Sequence, residues 1–330
     1  MSDAALEVSV VMPCLNEAGS VAQCVDKARR ALERAGLAGE VVVADNGSTD
    51  GSVELAERAG ARVVHAPTRG YGAAYLEGLK AARGRCLVLG DADGTYDFDD
   101  VPAFVAKLNE GNDLVLGSRF GGEILPGAMP WLHRYVGNPL LTGILGVFFG
   151  QHVSDAHSGM RALTREACER MRLRTSGMEF ASEMIAAAIR QGLRIAEIPI
   201  VYHPRAGESK LRSFRDGWRH LRFMLLLSPT PLFLVPGLAA IAVGLAGILA
   251  LLPGPVRLGG LSFDYHFMFV ASALAMLGVQ LVVLGLAAKT WARAELLDRG
   301  DRWLAFLDRW FTLERGLLLG LGALAAGLGI

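Results

Sequence analysis

Two stretches of this chain, 231–252 and 267–288, each run for 22 residues without a charged side chain. As helices, both are long enough to cross the roughly 30 Å hydrocarbon layer of a bilayer. A core helix of a water-soluble protein rarely goes so far without a polar face, so both read as transmembrane helices. A chain with two such segments cannot be one water-soluble domain. Yet charged residues still make up 20% of the 330, so the apolar and charged residues must be segregated along the chain. A third uncharged segment, 316–330, is only 15 residues long. It reads as a half-buried segment or, preferably, as an incomplete third span.

Basic residues set the expected orientation. Arg205, Lys210, Arg212, Arg215, Arg219 and Arg222 precede the first span, and Lys289, Arg293, Arg299, Arg302, Arg309 and Arg315 follow the second. The loop between them, 253–266, carries only Arg257. By the positive-inside rule both basic flanks face the cytoplasm. The N-terminus, MSDAALEVSV, has neither a basic leader nor a long apolar core, so the residues before the first span are expected to stay cytoplasmic. Lys+Arg and Asp+Glu are both 33, a balance that argues against nucleic acid as the main partner. Cys14, Cys24, Cys86 and Cys168 have no metal-ligand spacing and read as small apolar side chains.

Ahead of the spans, short β-branched runs alternate with amphipathic segments. Strands are expected at 8–12, 40–44, 61–65, 86–89 and 114–116, and helices at 20–35, 52–59, 71–82 and 101–108. Continuous apolar strands separated by helices imply a parallel sheet covered on both faces, with ligands bound beyond the carboxyl ends of its strands. The loops that matter are then 13–19, 45–51, 67–72 and 91–97.

The last of these loops opens with Asp91-Ala92-Asp93, directly after the buried run CLVLG. Two carboxylates at a strand end suit Mg²⁺ or Mn²⁺, which share their coordination between carboxylates and substrate phosphates. Turn chemistry alone would also place Asp and Gly here. The loop DNGSTDG after the second strand offers acceptors to a base or ribose, or simply an Asx turn before a helix. Gly70-Tyr71-Gly72 follows the third strand rather than the first, and Tyr75 stands where a dinucleotide fingerprint needs Gly or Ala. A Rossmann dehydrogenase is rejected on that basis.

The ordered segments VVMPCLNEAGSV, VVVADNGSTDGS, LVLGDADGTYD, LVLGSRF, SDAHSGMRAL and IPIVYHPRAGESKL resemble family 2 glycosyltransferases of the GT-A fold. Within that family the chain is similar to the polyprenyl-phosphate, or dolichyl-phosphate mannose or glucose synthase-like, branch, including its membrane-anchored bacterial members. The resemblance covers residues 7–228. It implies an α/β GT-A domain, Rossmann-like, with a mostly parallel sheet and helices on both faces (1–212). An amphipathic juxtamembrane helix (213–230), the two spans (231–252, 267–288), an interfacial segment (289–315) and the apolar end (316–330) would follow.

The resemblance also implies site residues. Pro13, Asn16 and Glu17 would surround the base and ribose of a nucleotide-sugar, with Asp45 and Asn46 selecting the base and Gly70 and Ala92 lining the donor site. Asn46 departs from the second aspartate usual there. Asp91 and Asp93 would hold Mg²⁺ or Mn²⁺; Thr95 stands where some relatives supply a further metal-supporting Gln. Arg205, Ser209 and Lys210 would close over the donor phosphates. Arg119 and Arg134 would receive the phosphate of a polyprenyl phosphate, with Ser158 and Arg161 beside them. Asp155 would either orient the acceptor or pair structurally with Arg161.

The chemistry is coherent on its own terms. A leaving nucleoside diphosphate needs cations, and a phosphate monoester acceptor is already anionic, needing positioning more than a base. Segments 213–224 and 291–313 carry aromatic and basic faces that would lie against membrane lipids. The expected activity is inverting, metal-dependent transfer of a hexose to polyprenyl phosphate at the cytoplasmic face of the plasma membrane. DADG rather than DADL tilts the donor towards a UDP-sugar. A processive polysaccharide synthase lacks its QxxRW signature here, and an inactive nucleotide-sugar-binding protein fits poorly with Asp91, Asp93, Arg119 and Arg134 together. The sequence leaves a homo-oligomer open.

Overall fold

The computed structural model describes residues 6–205, 207, 213–258, 261–296 and 313–328. The expectations for Ser209, Lys210 and the segment 297–312 lie outside these residues. The chain divides into two compact units, Met1–Leu227 and Ser228–Ile330.

The first unit is built on a seven-stranded sheet of order β3-β2-β1-β4-β6-β5-β7. Its strands are β1 (Val8–Cys14), β2 (Gly39–Asp45), β3 (Arg62–His65), β4 (Cys86–Leu89), β5 (Leu114–Ile124), β6 (Arg161–Thr164) and β7 (Ile195–Tyr202). β1, β2, β3 and β4 run parallel, as do β5 and β7. β6 is antiparallel to both neighbours, β4 and β5. The mostly parallel sheet is therefore as expected, with one reversed strand inserted between β4 and β5.

Alternation along the strands divides the core in two. Val8, Val10 and Met12 pack with α1 (Val21–Arg34) and α4 (Val101–Asn109), whereas Val11, Leu87 and Leu89 pack with α3 (Tyr71–Ala81) and α7 (Phe180–Arg190). Burying each such aliphatic side chain contributes about 1.5–3 kcal/mol, so both faces of the sheet are held shut. α2 (Ser52–Arg58) and α6 (Arg165–Met171) complete the shorter connections.

Two further helices lie partly at the surface of this unit. A π-helical turn, His133–Gly137, leads into α5 (Asn138–Phe149). Leu145 is buried, but Trp131, Tyr135, Leu140 and Val147 are 68%, 60%, 59% and 77% exposed. α8 (Ser213–Leu227) packs on α5 and α7, burying His220 and Met224 while Trp218 and Leu226 stay exposed. The expected juxtamembrane helix thus belongs to the first unit, and its apolar face is split between the core and the surface.

In the second unit, a π-helical turn and α9 (Val235–Leu251) form one apolar run, Thr230–Leu251, and α10 (Tyr265–Leu296) contains another, Tyr265–Trp291. Both are long and apolar enough to cross a membrane. They sit close together: a Cβ on Gly278 would come within 2.6 Å of Gly237 O, and one on Gly244 within 2.6 Å of Ala271 O. Small residues at such contacts are how apolar helices gain packing without a hydrophobic drive. Most of their large side chains face outward, the reverse of a helix buried in a water-soluble core. The strand pair β8 (Val256–Leu258) and β9 (Leu261–Phe263) lies between them, and α11 (Leu313–Leu328) follows.

Candidate active site

The loops after β1, β2 and β4 come together because these strands are parallel neighbours. The first two are stitched by reciprocal hydrogen bonds. Asn16 N donates to Ser48 Oγ (2.9 Å), Glu17 N to Ser52 Oγ (2.8 Å) and Thr49 N to Asn16 Oδ1 (2.8 Å). Asn16 is held at φ +52°, a left-handed conformation that Asn tolerates better than most residues. Asp45 accepts from Gly47 N and Ser48 N, closing an Asx turn.

Asn46 works as a bracket. Its Nδ2 donates to Thr68 O (2.7 Å) and its Oδ1 accepts from Gly70 N (2.7 Å). An aspartate could not supply the donor, which gives a physical reason for the departure at this position. The bracket ties the loop after β2 to the start of α3. Pro13 lies in β1, and Ala92 O accepts from the buried Ser20 Oγ (2.7 Å).

The two DAD carboxylates are each half occupied. Asp91 Oδ1 accepts from Tyr71 Oη (3.0 Å) and Tyr75 Oη (3.1 Å). Asp93 Oδ1 accepts from Thr95 N (3.0 Å) and Thr95 Oγ1 (2.6 Å). Thr95 therefore orients Asp93 rather than replacing a missing ligand. Asp91 Oδ2 is left without a hydrogen bond among the described residues. Asp93 Oδ2 pairs with Arg205 Nη1 at 3.1 Å, and the same guanidinium reaches Glu17. Burial, and then the charge on Asp93, raise the Asp91 carboxyl to about 7, against the downward pull of Tyr71, Tyr75 and Arg205.

These residues fit a divalent cation with a diphosphate. Asp93 already faces a cationic group, and the buried Arg205 Nε finds no acceptor among the described residues, as expected of a donor set for an anion. No group of three or more His, Cys, Asp or Glu among the described residues forms a closed cage. Mg²⁺ and Mn²⁺ need none when substrate oxygens complete the shell.

The reversed strand β6 brings the loop before it against Asp91. A Cβ on Gly159 would come within 2.6 Å of Asp91 Oδ2, and Gly159 N donates to Tyr96 Oη (2.6 Å). Tyr96 packs on Tyr202, over which the Arg119 guanidinium lies at 5.1 Å. Arg119 grips Asp155 with two hydrogen bonds, Nε to Oδ2 (2.6 Å) and Nη2 to Oδ1 (2.8 Å). Burial opposes the Arg119 charge, but Asp155 outweighs it and keeps the guanidinium protonated. A register shift in β5 between Ser118 and Glu123 lets Arg119 leave the ladder.

One expected pairing changes here. Asp155 pairs with Arg119 and not with Arg161, both of its oxygens engaged by that guanidinium. Arg161 donates to the carbonyls of Ser158, Ala181 and Ala156, so its buried guanidinium braces the loop. Arg134 lies in the π-helical turn, over the Tyr135 ring at 5.5 Å, and does not touch the Asp91–Arg119 network. Ser158 Oγ is buried without a partner among the described residues, which suits a polar ligand. Tyr71, Tyr75 and the exposed aromatics Trp131 and Tyr135 were missed. The i,i+4 tyrosines and the aromatic pair flanking Arg134 were the available signals.

Comparison with known proteins agrees with this geometry. The family model described as "Glycosyl transferase family 2" matches residues 9–172. A low-salt glycan biosynthesis hexosyltransferase of Haloferax volcanii is 46% identical over 99% of this chain and 79% of its own length. A dolichyl-phosphate hexose transferase of the same organism is 35% identical over 64% of this chain and 89% of its own. Glucosyl-3-phosphoglycerate synthase of Mycobacterium tuberculosis, in a crystal structure with Mn²⁺, UDP-glucose and phosphoglyceric acid, superimposes with a TM-score of 0.53 at 27% identity, covering 67% of this chain and 79% of that one. The carboxylates at the end of β4, the loops stitched beside them and these relatives converge on one conclusion: the chain belongs to glycosyl transferase family 2 and is a glycosyltransferase of GT-A fold.

Proposed function

We infer that this enzyme transfers a hexose from a nucleotide-sugar, with UDP favoured, to a polyprenyl phosphate, with inversion and with Mg²⁺ or Mn²⁺. The observation that carries the acceptor reading is the exposed face of residues 131–147. Trp131 and Tyr135 are exposed beside Arg134, and Leu140 and Val147 are exposed further along the same segment, all within the catalytic unit itself. An enzyme for a small water-soluble acceptor has no use for such a surface, whereas an isoprenoid lipid at a membrane does. The apolar helices α9 and α10 support the same reading as membrane spans, with the catalytic unit on the cytoplasmic side.

A divalent cation held by Asp91 and Asp93 would neutralise the leaving diphosphate. Arg205 would offer its unpaired Nε to the same phosphates. Arg119 keeps Nη1 without a hydrogen bond among the described residues, and with Ser158 Oγ it would hold the acceptor phosphate. An acceptor oxygen positioned there attacks the anomeric carbon from the side opposite the diphosphate. Because the nucleophile is already anionic, no side chain has to remove a proton.

The test supplies purified full-length protein with Mn²⁺, polyprenyl phosphate and labelled UDP- and GDP-sugars. Label is expected in the lipid phase from one donor, with the anomeric configuration reversed. Nucleotide release with no lipid product, or label on phosphoglycerate instead, would replace the acceptor reading.

Proton competition at Asp91 makes a second prediction. The metal-free folded state holds this proton up to about pH 7, beyond the ordinary carboxylate range. Its contribution to stability therefore falls as pH rises towards 7, and a cation binding there must displace the proton. Apparent Mn²⁺ affinity is expected to rise with pH up to about 7, by at most about tenfold per unit, then level off. Mn²⁺ titrations followed by electron paramagnetic resonance on either side of neutrality check this. A flat profile would show that Asp91 carries no such proton.

A further inference from the structure

The Gly-Tyr-Gly segment rejected above as a dinucleotide fingerprint has another use. Tyr71 and Tyr75 stand four residues apart on α3, hence on one face of the helix. Their hydroxyls donate to the same atom, Asp91 Oδ1. The rings meet edge to face at 5.0 Å, and Tyr75 stacks on Phe180 at 5.3 Å.

The start of α3 is clamped to a distant loop. Gly72 N and Ala73 N donate to Gly177 O and Ser176 O. A Cβ at Gly70 would lie 2.1 Å from Ser176 O and one at Gly72 only 2.2 Å from Thr175 O, so the two backbones touch where no side chain fits. The glycines thus serve a close approach that fixes where the tyrosines begin. Their hydroxyls are held by a helix axis, a backbone clamp and an aromatic stack, not by flexible surface side chains.

A carboxylate at a strand end can rotate about its last bond and offer either oxygen. Two donors on Oδ1 remove that freedom and leave Oδ2, beside Gly159, for a ligand. We propose that Tyr71 and Tyr75 are positioning residues of the donor site, locking Asp91 so that Oδ2 alone is presented to the nucleotide-sugar and its divalent cation. The proposal rests on the reading that Asp91 serves the donor.

The experiment compares Tyr71→Phe, Tyr75→Phe, the double variant and Asp91→Asn with the wild type. Mn²⁺-dependent UDP binding is measured by calorimetry, the Mn²⁺ environment by electron paramagnetic resonance, and folding by thermal melting. Each Phe variant keeps its ring, so melting is expected to stay within a few degrees of wild type. Mn²⁺-dependent UDP binding should weaken about tenfold in each single variant and about a hundredfold in the double, as for lost hydrogen bonds to a charged group. UDP binding without Mn²⁺ should be unchanged, and the Mn²⁺ spectrum should broaden. If Asp91→Asn weakens binding while the Phe variants lose only melting temperature, the hydroxyls merely satisfy a buried carboxylate and the proposal falls. If the wild type shows no Mn²⁺-dependent UDP binding, the donor-site reading falls and takes the proposal with it.

Discussion

Asp93→Asn is expected to reduce sugar transfer about a thousandfold, close to 4 kcal/mol of transition-state stabilisation. The amide keeps an oxygen for Thr95 N and Oγ1, so the loop geometry survives and melting should move little. What disappears is the charge at Oδ2, the position that faces Arg205 and would face a cation. An amide nitrogen placed there would repel the guanidinium as well. Steady-state kinetics with the donor saturating separates this loss from weaker donor binding. A variant with the wild-type rate would remove Asp93 from the mechanism altogether.

Asp155→Ala is expected to cost about 3–5 kcal/mol of stability, lowering the melting temperature of the catalytic unit by about 10 °C. The reason is asymmetric: Asp155 is fully buried and removing it strands the charge on Arg119, itself buried and gripped at 2.6 and 2.8 Å. Replacing both, as Arg119→Met with Asp155→Leu, should recover most of the stability, because the desolvation cost of both ions is removed together. Transfer should not recover, since the proposed acceptor contact at Arg119 has gone. A general base at Asp155 would behave differently, losing transfer in Asp155→Asn with no change in melting. Thermal melts and transfer rates for the wild type, Asp155→Ala, Asp155→Asn and the double variant decide between the two roles.

Both expectations turn on a pairing that motif order did not reveal. Reading along the chain put Asp155 near Arg161, six residues away, and both lie in the segment SDAHSGMRAL. In the fold, Arg161 turns to three backbone carbonyls and Asp155 reaches across to Arg119, 36 residues earlier. The difference arises because β6 enters the sheet antiparallel between β4 and β5. The loop before it therefore lies against Asp91 on one side and Arg119 on the other. Strand polarity of that kind leaves no trace in apolar periodicity, since a buried strand reads the same in both directions.

The exposure of residues 131–149 is hidden from the sequence for a related reason. Apolar side chains look the same along the chain whether buried or not, and only the fold shows that Trp131, Tyr135, Leu140 and Val147 are exposed. α8 was read as an interfacial helix from its aromatic and basic faces, yet Met224 and His220 are buried against the catalytic unit. Helical spacing shows which side chains share a face; it does not show what covers that face.

Much was nevertheless written locally. Continuous apolar strands, the turns after them and two uncharged stretches were enough to specify an α/β unit with ligand loops at one sheet edge and two helices long enough to span a membrane, because burial and backbone hydrogen bonding act on a few consecutive residues at a time. Which oxygens of Asp91 and Asp93 remain available, which guanidinium holds Asp155, and why position 46 is asparagine depend on groups brought together from Tyr71, Thr95, Arg119, Thr68 and Arg205. Those choices belong to the folded chain, since a hydrogen bond or ion pair forms only where packing sets two distant backbones a few ångströms apart.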